Sequence, residues 1–478
     1  MRLLQKTKIR RTTLILVFLI SLLGGLFISK TTQPLSASWL LLALLLVPLV
    51  FGSKKVLVVY LVLLGVLIGW WRGGILQSQN LVYKELFYKT VTVTGRATED
   101  SYYGDRSQLQ FMIESPHVGD TKLPGKIQVK GFGEAMVYRH DIVSVKGKLY
   151  PSMGSKRANI SFATIDVKAR AVSTMDNLRR KFIVGIENSL PEPAASFAVG
   201  LLVGQRSLMT DEVSAILVAI GLTHIVAVSG YNLTIIVDAV KKSLKKLSRF
   251  QILAISLLLI YLFLLITGFS PSIIRATIVS VFGLTAWYFG RQFRPILLIA
   301  LAAALTGFIN PYYVWGDVGW YLSFFAFFGV LILAPLITTR LFGNKKVPLI
   351  GLVAIESLSA QIMTTPYIML IFGRISIVGL LANIIIVPLV PFAMFFSLIA
   401  GLAGMIMPQI AGWIALPARI LLDVMLWLIA WFAHWPLAQA NVLITLGSLL
   451  ALYAITMIFI LGLRKRSVSV TIESKQTK

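Results

Sequence analysis

Side chains able to do chemistry are few and scattered in this 478-residue chain. Cysteine is absent, so disulfides and thiolate metal sites are excluded. The histidines are His117, His140, His224 and His434, and none sits in an HxHxDH pattern. A nuclease metal site of that type is therefore not expected. No phosphate-binding GxxxxGKS or GxxxxGKT loop occurs, so any pulling force must come from elsewhere. Ser229 would need a base within reach to act as a nucleophile, and none is indicated. The polar groups that remain are set into apolar sequence. Arg206 shares a hydrophilic island with Gln205, Ser207, Thr210, Asp211 and Glu212. Thr223, His224, Ser229 and Asn232 follow in a glycine-broken apolar run, and Arg275, Asp317, Glu356, Gln361 and Asn383 each interrupt a later one. An ionisable group inside a bilayer is costly unless it pairs or faces water, so such positions mark a route for something polar.

Each of these residues also has a plainer reading. Arg206 either touches phosphate at an outer mouth or pairs with a helix-terminal acid. A lone His224 with no second ligand is a hydrogen-bonded packing residue before it is a proton or metal site. Ser229-Gly230 permits a close helix crossing or an unwound turn. Arg275 either snorkels to headgroups or pairs with Asp317; the pairing is expected, near the mouth of a pore. Glu356, Gln361 and Asn383 line a water-filled path or join a buried hydrogen-bond network. Asp238 and Asp423 receive no role.

The elements that must position these groups are membrane helices. Hydrophobic residues make up 57% of the chain and charged residues 13%, and mean hydropathy is +0.83, which excludes an ordinary soluble protein. Apolar runs cover 12–29, 37–51, 56–74, 222–240, 252–268, 273–289, 296–308, 315–336, 349–372, 375–403, 413–432 and 442–463. That is about twelve spans, with 37–51 short for a bilayer. Pro388 and Pro391 break 375–403, and 195–203 is re-entrant, packed against protein. Placing Lys54-Lys55 and the basic clusters at 241–249, 291–294, 340–346 and 464–466 inside closes the parity. Both termini are then cytoplasmic. The opening 1–29 is a retained anchor, because no small-residue cleavage site is evident. Five domains result: a three-span segment 1–79, a β domain 80–172 on the outer side, an amphipathic interfacial helix 173–192, a transmembrane core 193–463 and a basic tail 464–478.

The β domain is marked by period-2 alternation at 89–96, 107–114, 125–130, 141–150 and 160–167, separated by turn residues. Five short strands fit a small closed barrel of the OB type, which commonly binds oligonucleotides. Tyr102, Tyr103, Arg106, Lys122, Lys126, Lys130, Phe132 and Lys148 offer the cations and rings such a surface needs. Their plainer reading is solvated lysine and core aromatics. The net charge of +26 exceeds the positive-inside bias and points to an anionic partner, nucleic acid or lipid.

Several blocks resemble the ComEC family of competence DNA-uptake channels. They are GLLVGQR at 200–206, GLTHIVAVSG at 221–230, TGFSPSIIRA at 267–276, Asn310-Pro311, GWYLSFFAFFGV at 319–330 and LLANIIIVPLV at 380–390. The resemblance covers roughly 197–390. It implies an inner-membrane conduit for single-stranded DNA, with no cofactor and no chemistry of its own, served by a separate DNA receptor, nuclease and cytoplasmic helicase or motor. Asn232 stands where the family often has a histidine, so that residue's role is not carried over. The metallo-β-lactamase-like domain that many members carry is not expected here. Two other classes stay open: a polytopic membrane enzyme using His224, Asp317 or Glu356 as acid or base, and a small-solute transporter of the cell envelope. Against these, the ionisable groups show no motif spacing and no internal repeat is evident.

Overall fold

The computed structural model describes residues 10–36, 38–39, 54–103, 108–134, 136–152, 156–171, 173–205, 208–226, 233, 237, 240–244, 246–268, 270–291, 294–343, 345–436 and 438–476. Two compact units emerge: residues 1–173 with 297–321, and residues 174–296 with 322–478. The expected span at 37–51 and most of that at 222–240 lie outside the described residues.

In the first unit, helix Arg11–Ile28 packs along helix Lys54–Leu86. Small residues make the crossing close. A Cβ at Gly25 would lie 2.1 Å from the Val66 carbonyl oxygen, and one at Gly69 would lie 2.2 Å from that of Leu22. Between helices in lipid no hydrophobic drive remains, so this tight backbone packing supplies the association. The second helix runs on past the membrane length and ends in the barrel. Its Tyr83 is fully buried in the barrel core and donates a 2.7 Å hydrogen bond to the Pro124 carbonyl.

The barrel has five main strands: β1 (Thr90–Ala97), β3 (Leu109–Val118), β5 (Lys126–Phe132), β6 (Ile142–Pro151) and β7 (Ala158–Ala169). Two-residue strands β2 (Tyr102–Tyr103) and β4 (Thr121–Lys122) pair with β3. β1 pairs with β3, β3 with β5, β7 with β6 and β6 with β1, all antiparallel, while β5 and β7 run parallel. That circuit closes the sheet with the connectivity of an OB barrel, as the alternation predicts. Val93, Phe111, Ile113, Ile127, Val129, Val143, Val145 and Ile160 alternate inward to fill it.

The second unit is a helical bundle. Among the described residues eight helices are long and apolar enough to cross a membrane, six of them ending in this unit. Pro271–Tyr288 occupies a further expected span of this unit, and the shorter Pro295–Ile309 occupies another that falls almost wholly in the first unit. The predicted break in 375–403 is real: helix Gly379–Ile386 passes through a 3-10 turn at Val387–Leu389 into helix Val390–Ile406. The run expected to pack against protein forms helix Ala194–Val203, with all ten residues buried. Helix Thr174–Ser189 lays Phe182, Ile183 and Ile186 against Val390–Ile406, so its apolar face is covered by protein. Strands β8 (Arg374–Ser376) and β9 (Gln439–Asn441) pair and tie together the ends of helices Leu349–Phe372 and Leu416–Ala433.

The family-like glycines have local causes. Gly204 is the left-handed cap of helix Ala194–Val203 (φ 75°), and Gly221 turns the chain after helix Asp211–Ala219 (φ 73°). Thr210 caps the latter helix by accepting from the Val213 N–H at 3.4 Å, and Asp211 and Glu212 complement its dipole.

The tightest contact in the bundle joins Gly185 to Gly404. A Cβ on Gly404 would lie 1.9 Å from the Gly185 carbonyl oxygen, and Ser189 Oγ donates across the crossing to the Ala400 carbonyl at 2.9 Å. Gly404→Ala should therefore destabilise the protein by about 2–3 kcal/mol or more. Gly283→Ala meets nothing within 4 Å and should be neutral or stabilising by up to ~1 kcal/mol. Thermal unfolding of both variants in detergent checks the contrast.

Candidate functional site

The barrel surface brings several expected residues together. Tyr102 pairs with Gln110, and Gln110 with Lys130 on the next strand. Lys148 lies on β6 opposite Ser161 of β7, its amino group 5.9 Å from the centre of the Tyr150 ring. Tyr150 in turn meets Tyr88 edge-on at 6.0 Å. Tyr103 and Phe132 are exposed, as is Lys122 on β4. Lys126 stands apart from this row, 4.0 Å from the Glu114 carboxylate. Arg106 lies outside the described residues. The structure adds Tyr88, Tyr150 and Phe162, all missed from sequence. Tyr88 and Phe162 adopt positive φ (64° and 54°), which alternation does not reveal.

A second missed feature holds the barrel to the 310–317 connection. Arg157, in the loop between β6 and β7, is buried and lies over Tyr312, with its guanidinium carbon 4.3 Å from the ring centre. It donates to the Tyr312 hydroxyl at 2.9 Å and also to the Asn80 side-chain oxygen. Burial pushes the Arg157 guanidinium down from its ordinary value, and Tyr312 opposes that shift. Neighbouring Lys156 donates to Gln128 Oε1 at 2.5 Å. Burial lowers its pKa as well, Lys130 adds to the effect, and Glu99 and Asp317 oppose it. Asp317 therefore lies within electrostatic reach of the barrel. Its Oδ1 also accepts from the Trp320 N–H at 2.7 Å, capping helix Val318–Phe328. The connection is fixed on its other flank. Trp315 donates from its indole to the Leu26 carbonyl at 2.8 Å, Lys30 donates to the Trp315 carbonyl at 2.7 Å, and Arg72 donates to the Ile309 carbonyl at 2.8 Å.

Inside the helical unit the polar candidates are dispersed. His224 sits on the short helix Thr223–Val226, exposed, with Nδ1 3.1 Å from the Gly221 carbonyl. Arg275 is 3% exposed on helix Pro271–Tyr288. Glu356 and Gln361 are half-buried on helix Leu349–Phe372, and Asn383 is buried on helix Gly379–Ile386. No hydrogen bond joins Glu356, Gln361 and Asn383 to one another among the described residues. Arg206, Ser229 and Asn232 lie outside the described residues. Buried side-chain oxygens without a partner among the described residues include Ser256 Oγ, Thr277 Oγ1, Ser359 Oγ, Ser397 Oγ and Asn383 Oδ1.

A chain that holds a closed OB-like barrel, a glycine-packed bundle and these sequence blocks invites comparison with known families. The model of the family described as "Competence protein" matches residues 201–467, more than half of the chain. The chain belongs to this family. It is also similar to ComE operon protein 3 of Bacillus subtilis (strain 168), with 28% identity over 225 residues. That match covers 46% of this chain and 28% of the Bacillus protein. No solved structure matches.

The Arg157 contact predicts a graded series. Tyr312→Phe keeps the stacking and loses one hydrogen bond, costing about 1 kcal/mol. Arg157→Ala removes a buried guanidinium and leaves two half-buried acceptors unbonded, which should cost about 2–4 kcal/mol, and Arg157→Lys should not restore it because the planar fork is lost. Hydrogen exchange in residues 310–317 reads the order: wild type slowest, Tyr312→Phe next, Arg157→Lys and Arg157→Ala fastest.

Proposed function

We propose that this multi-pass membrane protein is a conduit for single-stranded DNA entering the cell during natural transformation, with the barrel guiding the strand to the membrane core. Membership of the Competence protein family is the observation that carries the reading. Similarity to a ComE operon protein supports it.

The physical case rests on charge. A DNA strand bears one negative charge per nucleotide and cannot enter hydrocarbon. It needs cations outside and polar, hydrated surface within. The barrel supplies lysines and exposed rings on adjacent strands, the combination that holds single strands without sequence preference. The bundle supplies buried polar groups, with Arg275, Glu356, Gln361 and Asn383 as candidates for the route, and Asp317 is a candidate on the 310–317 connection. His224 stays a candidate for the same route, together with Arg206, Ser229 and Asn232. Arg10 and Arg11 begin the first helix, so the positive-inside rule puts that end in the cytoplasm. The far end of that helix meets the 310–317 connection, which Arg157 joins to the barrel. Barrel and connection then share the outer side. In this reading a receptor delivers the DNA, a nuclease makes it single-stranded, and a cytoplasmic helicase or motor draws it in.

A strain lacking the gene should lose transformation by exogenous DNA. Arg275→Ala should reduce it about ten-fold or more, since a contact between a charged group and phosphate is worth roughly 1.5–3 kcal/mol. Counting transformants against membrane protein level checks both. Undiminished transformation in the deletion strain would end this reading.

A further inference from the structure

Strand β7 carries one residue more than either neighbour at the same place. On the β6 side Lys148 pairs with Ser161 and Lys146 with Thr164; on the β5 side Val129 pairs with Ile160 and Gly131 with Ala163. The surplus residue is Phe162, in the left-handed region (φ 54°) and 62% exposed. For a bulky residue this conformation is an outlier, the kind that persists only where the surroundings impose it. Here they do. Both neighbouring strands present a glycine to the bulge. A Cβ at Gly131 would lie 2.1 Å from the Ala163 carbonyl oxygen, and one at Gly147 would lie 2.6 Å from Ile160 Cγ2. The sequence thus clears space on both sides so that the bulge can settle in with a phenyl ring outward.

Cations flank the bulge on both neighbouring strands. Lys130 on β5 falls opposite it, and Lys148 on β6 pairs with Ser161, the residue before Phe162. Tyr102 continues the same row through Gln110. The next row carries Phe132, Thr164 and Lys146, adding a second exposed ring and a third lysine. From β2 to β6 the first row crosses four strand gaps, about 19 Å at the usual spacing.

We propose that Phe162 is a base-stacking residue for single-stranded nucleic acid, flanked by Lys130 and Lys148 along the backbone path. The site departs from the loops and strands an OB barrel ordinarily uses. Its β6–β7 loop is engaged through Arg157 with Tyr312 and Asn80, and binding shifts around the barrel to the β5–β7–β6 surface. This inference rests on the reading of the barrel as a DNA-contacting domain.

The test uses the full chain in nanodiscs and a fluorescein-labelled oligo(dT), its affinity read by anisotropy. Wild type binds. Phe162→Ala and Phe162→Leu weaken binding on the order of ten-fold, whereas Phe162→Tyr and Phe162→Trp retain it, because any aromatic face accepts a base. Lys130→Gln and Lys148→Gln each flatten the salt dependence by about 0.7 in log–log slope, one phosphate contact apiece. Should wild type bind while Phe162→Ala and Phe162→Leu bind equally well, the stacking site is wrong and the reading beneath it survives. Should wild type itself fail to bind, both fall. A fluorophore on Thr164→Cys separates the remaining case: quenching by oligo(dT) supports the site, and quenching by spin-labelled lipid without DNA overturns it in favour of a membrane contact.

Discussion

A hydroxyl or amide buried among helices costs roughly 1–3 kcal/mol if left unbonded, and a bundle bathed in lipid offers few ways to avoid that cost. Ser359 and Ser397 are fully buried and Asn383 nearly so, and each holds a polar atom without a partner among the described residues. Several threonines in the apolar helices bond the carbonyl one turn back, as Thr306, Thr364 and Thr456 do, whereas Ser256 and Thr277 are, like Ser359 and Ser397, unbonded among the described residues. The unbonded groups thus differ from neighbours that satisfy themselves within their own helix. Water is the partner that fits a polar, interior site in a membrane protein. Under the proposed function, water at such groups would belong to the route that the strand takes.

Packing makes that arrangement affordable in space. Gly185 against Gly404, and Gly329 against the Ser359 carbonyl, bring backbones together where side chains would hold them apart. Gly329 opens a π-helical turn, Gly329–Leu333, within the helix that carries the GWYLSFFAFFGV block. One surplus residue there rotates the helix faces before and after it, as one surplus residue in β7 turns Phe162 outward. Both irregularities sit beside glycine, in elements whose regular pattern the sequence announces plainly.

That contrast defines what was legible. Membrane class, the five barrel strands, the buried run at 195–203 and the proline break at 387–391 all follow from periodicity, length and proline chemistry. The residues joining distant segments did not. Arg157 reads as one more basic residue, and nothing local couples it to Tyr312, 155 positions away. Phe162 reads as an ordinary strand aromatic and Tyr88 lies just ahead of the first expected strand, since a positive φ at a non-glycine residue leaves no compositional trace. Asp317 reads as an acid inside the run 315–336; that it precedes the apolar helix Val318–Phe342 and caps its start is not visible in the sequence. The amphipathic pattern of 174–189 was visible too; that its apolar face meets Val390–Ile406 was not, because protein and headgroup region favour the same pattern.

The chain's lack of cysteine permits a direct measurement. Single cysteines at Ser359, Ser397 and Asn383 can be treated, in intact membranes, with a charged thiol reagent that does not enter hydrocarbon. Lys168→Cys on the exposed edge of the barrel serves as the reactive control. A hydrated route predicts modification at the three buried positions, slowed when oligo(dT) occupies the protein. Inertness at all three, with the control fully modified, would contradict it.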